Sequence, residues 1–207
     1  MRRLTFLACL LIGLAGCASS SLRPDQKAGI KRVSVANVKM PAKPTIFGEG
    51  AAGAFLLGGP LGIALANAGS DLPKLYAKQL GKNNVNVGAQ LKADLEQQLR
   101  QKGFEVVSHD QPADAVVSAE VFQYGLTGDI FSSPPVRFPQ LSVRVDLIKP
   151  STGESIWRGT AALNVLPAVY KQLDARRIDE YLQEGQLLRQ QVQKASGLIA
   201  GVALSKL

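Results

Sequence analysis

The chain has 207 residues, which is enough for one ordinary domain and a leader segment. Hydrophobic residues make up 46% and charged residues 19%, a balance typical of a globular protein with a buried core. The formal charge of +8 permits contact with anionic lipid or acidic polymers, and it is equally typical of a lysine-rich solvated surface. The sequence has no run of basic residues interleaved with aromatic ones, which argues against nucleic acid as a partner.

The first residues have the anatomy of a secretory signal. Met1, Arg2 and Arg3 form a basic start, and an apolar run over residues 4–15 follows. That run is too short to cross a bilayer comfortably as a permanent helix. It ends in Leu-Ala-Gly-Cys, residues 14–17, which resembles the lipobox of bacterial lipoproteins. The alternative is an ordinary signal peptide with an incidental cysteine.

The lipobox resemblance implies a covalent lipid anchor. In that family the signal is cleaved just before the cysteine, so Gly16 would end a signal peptide of residues 1–16 and Cys17 would carry the lipid. Two or three acyl chains, palmitate among them, hold a protein on a membrane stably, since each buried CH₂ contributes about 0.8 kcal/mol. Ala18 stands where an aspartate would retain such a protein at the inner membrane, so the resemblance implies a periplasm-facing outer-membrane protein.

A tether and one domain are expected after the anchor. Residues 17–29 hold several serines and Pro24, a composition that predicts a short flexible tether. The other cysteine, Cys9, lies inside the signal, so the mature chain would have no disulfide. The domain is expected over residues 30–207.

The first half of the domain alternates between strand and helix patterns. Strands are predicted at residues 30–38 and 104–108, and a strand in the sheet interior at 116–124. A short helix is predicted at 71–81 and a longer one at 83–102, which a glycine ends. The longer helix has an apolar residue at every fourth position: Val87, Leu91, Leu95 and Leu99.

The second half predicts a hairpin and a helix. Polar and apolar residues alternate over residues 141–148 and 157–165, which predicts two antiparallel strands joined by a turn at 149–155. Residues 173–207 predict a C-terminal helix with an apolar seam. That helix either docks across the sheet or pairs with a second copy or a partner. The seam consists of Ile178, Tyr181, Gly185, Leu188, Val192, Ala195, Ile199 and Val202.

These elements predict an α/β (α+β) fold, a single mixed sheet with an antiparallel hairpin, packed by helices and followed by a long C-terminal helix. Three stretches carry a resemblance: KGFEVV (102–107), ADAVVSAEV (113–121) and DLIKPSTGESIWRG (146–159). They resemble the α/β domain of bacterial envelope lipoproteins, namely the curli-secretion lipoprotein, the activators of penicillin-binding proteins and the N-terminal domain of the Tol propeller protein. The resemblance implies envelope proteins as partners and names no active site.

A Gly/Ala-rich apolar insertion covers residues 48–70. It has no charged residue from Gly50 onward, and Pro60 disfavours one straight helix through it. Three interpretations stay open: contact with a membrane or with other copies in a homo-oligomer, packing inside the domain, or a mobile loop. The candidate contact residues are Gly53, Phe55, Leu56, Leu57, Gly58, Gly62 and Ile63.

Residues 125–140 hold three prolines, two serines and Gly128, a composition typical of a loop. Phe131 and Phe138 on this loop are candidate contacts for a partner. A loop that folds onto its own core is the alternative.

The sequence contains few of the residue patterns that enzymes use for catalysis. His109 is the only histidine, so a histidine-rich zinc site lacks its ligands and a serine triad would have only His109 to use. The serines also lack the Gly-x-Ser-x-Gly motif. No Gly-rich phosphate loop is present. We therefore expect no catalytic residue, no metal and no cofactor, although carboxylates paired in space would escape this reasoning.

Three functions are open at this point. The first is an anchored protein-binding accessory or scaffold for envelope assembly, transport or regulation. Identification of its partners would distinguish it from the other two. The second is a binder or carrier of lipid or another hydrophobic ligand. The third, a hydrolase of envelope polymers, would need a paired acid site.

Overall fold

The computed structural model describes residues 22–46, 71–129, 136–163 and 172–207. The predicted anchor at Gly16 and Cys17, the Gly/Ala-rich segment 48–70 and Phe131 lie outside these residues, so those expectations stay predictions.

The described residues form five helices and six strands. The helices are α1 (Pro24–Ala28), α2 (Leu72–Lys82), α3 (Val87–Gln101), α4 (Ile178–Gln183) and α5 (Gly185–Ala203). The strands are β1 (Arg32–Val35), β2 (Thr45–Ile46), β3 (Glu105–Val107), β4 (Ala115–Asp129), β5 (Val136–Ile148) and β6 (Ser155–Ala162).

All six strands belong to one mixed sheet, which confirms the predicted fold class. The order is β3-β1-β4-β5-β6, and β2 pairs with β4 further along its length. Strand β1 runs parallel to both β3 and β4, whereas β5 runs antiparallel to both β4 and β6. The predicted hairpin is therefore present as β5 and β6, and the predicted interior strand is β4.

The helices cover one face of this sheet. Helix α5 packs on β5 and β6, and α3 packs beside it on β1 and β3. The leucine stripe of α3 is buried, with Leu91, Leu95 and Leu99 all 0% exposed. The seam of α5 is buried too, at Leu188, Val192, Ala195 and Ile199. Its apolar face is thus used inside the domain, so the alternative in which this seam pairs with a partner is wrong.

Local interactions define both ends of α3. The Asn86 side chain accepts a hydrogen bond from the Ala89 N–H and caps the N-terminus. At the C-terminus Gly103 has φ +89°, a conformation that glycine adopts without strain. Its N–H donates to the Arg100 carbonyl and the Phe104 N–H donates to the Leu99 carbonyl, which is the Schellman pattern. The turn places the buried Phe104 back against the helix.

The prediction of a loop over residues 125–140 is wrong for the part of that stretch that the structure describes. Strands β4 and β5 stay paired from Gly125 opposite Gln140 to Asp129 opposite Val136. Within this paired stretch Pro139 lies opposite Leu126 of β4.

Glycine is required at one point of this extension. Gly125 has φ +142°, and the Thr45 backbone of β2 occupies the space that a Cβ would take. The close approach lets β2 pair with β4 beside Leu126, which is completely buried. A residue that suggested a loop in the sequence is therefore a strand glycine that admits a neighbouring backbone.

Two further predictions need correction. The expected tether is helical over Pro24–Ala28, because proline suits the first turn of a helix, and Leu22 before it is buried in the core. The Lys27 Nζ also donates to the Leu207 carbonyl at 2.6 Å. The C-terminal helix is two helices rather than one, since Glu184 between α4 and α5 has an extended backbone, with φ −101° and ψ 91°.

Candidate interaction surface

The face of the sheet opposite the helices carries a second, polar pattern. Along β5 the buried Val143, Val145 and Leu147 face the helices and alternate with half-buried residues on the other side. We call that other side of β4, β5 and β6 the open face. Its central residues are Ser118, Glu120 and Phe122 of β4, Ser142, Arg144 and Asp146 of β5, and Arg158 and Thr160 of β6.

A chain of opposite charges crosses the open face. Arg144 lies opposite Glu120, with its Nη2 2.5 Å from Glu120 Oε2. The Arg144 Nε lies 3.3 Å from Asp146 Oδ2 without hydrogen-bonding geometry. Asp146 accepts from Arg158 Nε at 2.6 Å and from Ser155 Oγ at 2.9 Å. The two positive and two negative charges balance. This row of ion pairs therefore fixes side-chain positions and creates no field of one sign.

A β-bulge places an aromatic ring beside these charges. Val121 pairs with Val143 and Gln123 with Ser142, so Phe122 is the extra residue of β4. Its side chain is 48% exposed, and the Arg144 Cζ lies 5.4 Å from the ring centroid. Aromatic residues, Phe included, and arginine are both enriched at protein–protein interfaces relative to the rest of the surface.

The helix layer has two adjoining clefts at the turn between α2 and α3. One, of about 500 Å³, is lined by Met40, Leu80, Val87 and Tyr124, among others. The other, of about 550 Å³, is lined by Gln90, Arg189 and Gln193, among others. Both include residues 84–86. Burial raises the pKa of the Tyr124 hydroxyl at the first cleft, so that group stays neutral at physiological pH.

The structure brings few of the predicted site residues together. Phe138, predicted on an exposed partner loop, is only 5% exposed within β5, so that prediction is wrong. His109 lies in an exposed turn after β3, and Glu120 faces an arginine rather than a second carboxylate. Within the described residues no three His, Cys, Asp or Glu side chains gather as a metal site would need. In the same residues, none of the helices has the length and apolar character to cross a membrane.

Sequence reasoning missed Phe122 because it regarded both faces of residues 116–124 as apolar. The available signal was the alternation of Ser118, Glu120 and Phe122 against Ala119 and Val121. That alternation indicates one solvent-exposed face of the strand, with one large apolar residue on it. The bulge itself has no such local signal, because it depends on the register between β4 and β5.

Comparisons with known proteins gave similarities of fold alone. No family model matches the sequence, and no curated protein matches it. The chain is similar to the PelC dodecamer from Paraburkholderia phytofirmans, with 13% identity over 89% of this chain and 96% of that one, and a TM-score of 0.39. It is also similar to a Xanthomonas campestris protein of the DUF330 family, with 8% identity over 86% and 85% and a TM-score of 0.42.

A third similar structure is a minor lipoprotein from Acinetobacter baumannii, with 12% identity over 86% of this chain and 96% of that one and a TM-score of 0.37. All three TM-scores are below 0.5, so these likenesses carry no argument about function. The resemblance to the curli-secretion, penicillin-binding-protein-activator and Tol groups stays a prediction.

Proposed function

We propose that this chain is a lipid-anchored accessory protein of the bacterial envelope that binds another envelope protein through the open face of its sheet. The anchor is Cys17, and the expected location is the periplasmic side of the outer membrane. The observation that carries the binding role is Phe122, an aromatic side chain that is 48% exposed on a bulge and ordered by Arg144.

Physical reasoning supports this surface over the helix layer. The helix seams are buried, so they offer little apolar area to a partner. On the open face, by contrast, the charges of Glu120, Arg144, Asp146 and Arg158 already neutralise one another. A partner that covers Phe122 would therefore gain apolar burial, at roughly 25 cal/mol per Å², without separating any of these ion pairs.

Site-specific crosslinking in intact cells tests the surface. A photo-reactive amino acid would replace Phe122 in one strain and Leu75 in another, because Leu75 is similarly exposed, at 45%, and belongs to α2. We expect one discrete crosslinked protein at position 122 and none at position 75. Equal crosslinking at both positions, or none at 122, would contradict the proposal.

The anchor is tested separately. We expect labelled palmitate to be incorporated into the wild-type chain and not into the Cys17→Ser variant, which should leave the membrane fraction. If Cys17→Ser is processed and located like the wild type, the anchored part of the proposal fails, while the crosslinking result still tests the binding surface.

The clefts favour a second candidate function, the binding of a hydrophobic ligand. The cleft beside α2 has a volume of about 500 Å³ and is lined partly by apolar side chains, a size within the usual range of ligand sites. Gly81 lines it, and a Cβ there would have open space. Lipid that co-purifies in stoichiometric amount with the wild type and is lost in Gly81→Phe would support this function. No bound lipid in either protein would count against it.

A further inference from the structure

Arg137 is a buried arginine whose position the core does not explain. It lies in β5, and its residue is only 6% exposed. Alternation along β5 places it on the same face as Leu141 and Val143, which is the face that the helices cover. A charged side chain at a helix-covered position is costly unless something pairs with it, and an arginine cannot lose its proton to avoid the cost.

The neighbouring strand makes room for this side chain. Gly128 of β4 lies directly opposite Arg137. A Cβ on Gly128 would meet the Val136 carbonyl oxygen first, and it would also come 2.8 Å from the Arg137 Cδ and 2.9 Å from its Nη1. The Arg137 side chain therefore lies close to the backbone of Gly128.

The guanidinium is only partly satisfied there. Its Nη1 donates to the Val136 carbonyl at 3.1 Å. Its Nε is completely enclosed and has no hydrogen-bond partner. Among the described side chains, no carboxylate forms a salt bridge with Arg137. At least one strong donor of a buried cation is thus without an acceptor, and a bound anion could supply one.

A second arginine lies beside the first. Arg176 forms a two-way backbone bridge with Arg137, with N–H···O distances of 2.6 Å and 2.8 Å. Residues paired in this way have side chains on the same face, with Cα atoms about 5.5 Å apart. Two like charges directly opposite each other destabilise a sheet. Arg176 is exposed, so this side of the pair can be reached from solvent.

The surrounding contacts hold the bridge in place. The Tyr181 hydroxyl donates to the Arg137 carbonyl at 3.2 Å, and it also lies 3.3 Å from the Asp174 carbonyl. The nearby carboxylate of Asp174 is already engaged by Gln191 at 2.9 Å and by Lys194 at 3.5 Å. The charge of Arg176 also helps to lower the Asp174 pKa, after Gln191 and Lys194. Among the described side chains no salt bridge joins Asp174 to either arginine, so both guanidinium groups still have donors for a ligand.

We propose that Arg137 and Arg176 form a binding site for an anionic group with several oxygens, a phosphate in the first instance. A guanidinium presents N–H donors in a fixed fork that matches such oxygens. One bound anion would supply an acceptor to the buried guanidinium and would offset the repulsion between the two arginines. The same chemistry belongs to free inorganic phosphate and to the phosphate of a lipid headgroup.

Thermal unfolding in phosphate and in chloride at equal ionic strength tests the site. We expect phosphate to raise the Tm of the wild type by several degrees, because a ligand that binds only the folded state stabilises it. Arg176→Gln, at an exposed position, should fold normally and lose most of this shift. Arg177→Gln is the matched control, with the same change in charge at the adjacent exposed residue, and should keep it.

A variant of the buried arginine gives a second readout. Arg137→Met removes the unpaired charge and keeps a similar side-chain volume, so we expect it to be at least as stable as the wild type in chloride and insensitive to phosphate. Equal Tm values in phosphate and chloride for the wild type would overturn the site. An equal response of Arg176→Gln and Arg177→Gln would also overturn it, since phosphate would then act on the whole surface.

The source of the phosphate is separated by vesicle flotation. The Cys17→Ser chain would be mixed with phosphatidylcholine vesicles with or without phosphatidic acid, so that no acyl anchor contributes. Binding to the phosphatidic acid vesicles that Arg176→Gln loses and Arg177→Gln keeps would identify a lipid headgroup. A phosphate-dependent Tm shift without vesicle binding would identify a free anion. The absence of both the Tm shift and the vesicle binding would overturn the proposal.

Discussion

The guanidinium of Arg144 lies over the ring of Phe122, with its Cζ 5.4 Å from the ring centroid. Both side chains project from the open face, and Arg144 is also 2.5 Å from Glu120. The contact depends on the bulge, because Phe122 is the residue of β4 that has no counterpart in β5. An exposed aromatic side chain is thereby held in one place before any partner arrives.

This contact predicts a small but measurable coupling. In a double-mutant cycle of Phe122→Leu and Arg144→Gln, we expect a coupling free energy of about 0.5–1 kcal/mol, the range of cation–π pairs at exposed sites. Urea unfolding followed by the fluorescence of Trp157, the only tryptophan and 1% exposed, measures it. Strictly additive effects of the two substitutions would show that the ring and the guanidinium do not interact.

The core prediction compares two leucines. Leu95→Ala removes a side chain that is 0% exposed between α3 and the sheet, and should lower the free energy of unfolding by roughly 2–5 kcal/mol. Leu75→Ala makes the same chemical change at a residue that is 45% exposed, and should cost no more than about 0.5 kcal/mol. Similar losses at the two positions would mean that the helix layer is placed differently.

Two glycines predict effects of opposite sign. At Gly103, φ is +89° and a Cβ would have open space, so Gly103→Ala should destabilise by about 1 kcal/mol through backbone strain alone. Gly81 lies within α2, also with open space around a Cβ, so Gly81→Ala should stabilise by up to about 1 kcal/mol. Chemical denaturation of both variants checks this, and two shifts of the same sign would refute it.

The free energy of unfolding at acid pH should depend on Asp114. Hydrogen bonds from the N–H groups of Arg32 and Lys31 to its carboxylate hold the pKa of Asp114 below its usual value. A lowered pKa in the folded state means that the stabilisation is complete above the unfolded pKa of about 3.9 and is lost as the pH falls through the folded value.

Comparison of the wild type with Asp114→Asn tests this dependence. The variant keeps an acceptor oxygen but cannot ionise, so we expect it to be less stable than the wild type at pH 7. The difference should shrink as the pH falls below about 4, where the wild-type carboxyl takes up its proton. Urea midpoints at several pH values measure it, and a difference that stays constant down to pH 2 would exclude the carboxylate as its cause.

The sequence by itself determined the elements that rest on local interactions. The leucine stripe and Gly103 of α3, and the alternation of β5, are repeats and turns within one segment, so periodicity identified them. The fold class followed from their order, since a helix between strands and a hairpin after them can form one mixed sheet. The lipobox at residues 14–17 is likewise a local pattern, and it predicts a cellular location rather than a fold.

Only the tertiary structure decided which face each of several residues occupies. Phe138 and Pro139 belong to β5 because β4 pairs with them, Phe122 is exposed because one residue of β4 is extra, and Arg137 is opposite Arg176 because a distant segment returns to the sheet. Each of these positions depends on the register between segments that lie far apart in the sequence. A shift of one residue would turn every side chain to the other face, and no local period specifies it.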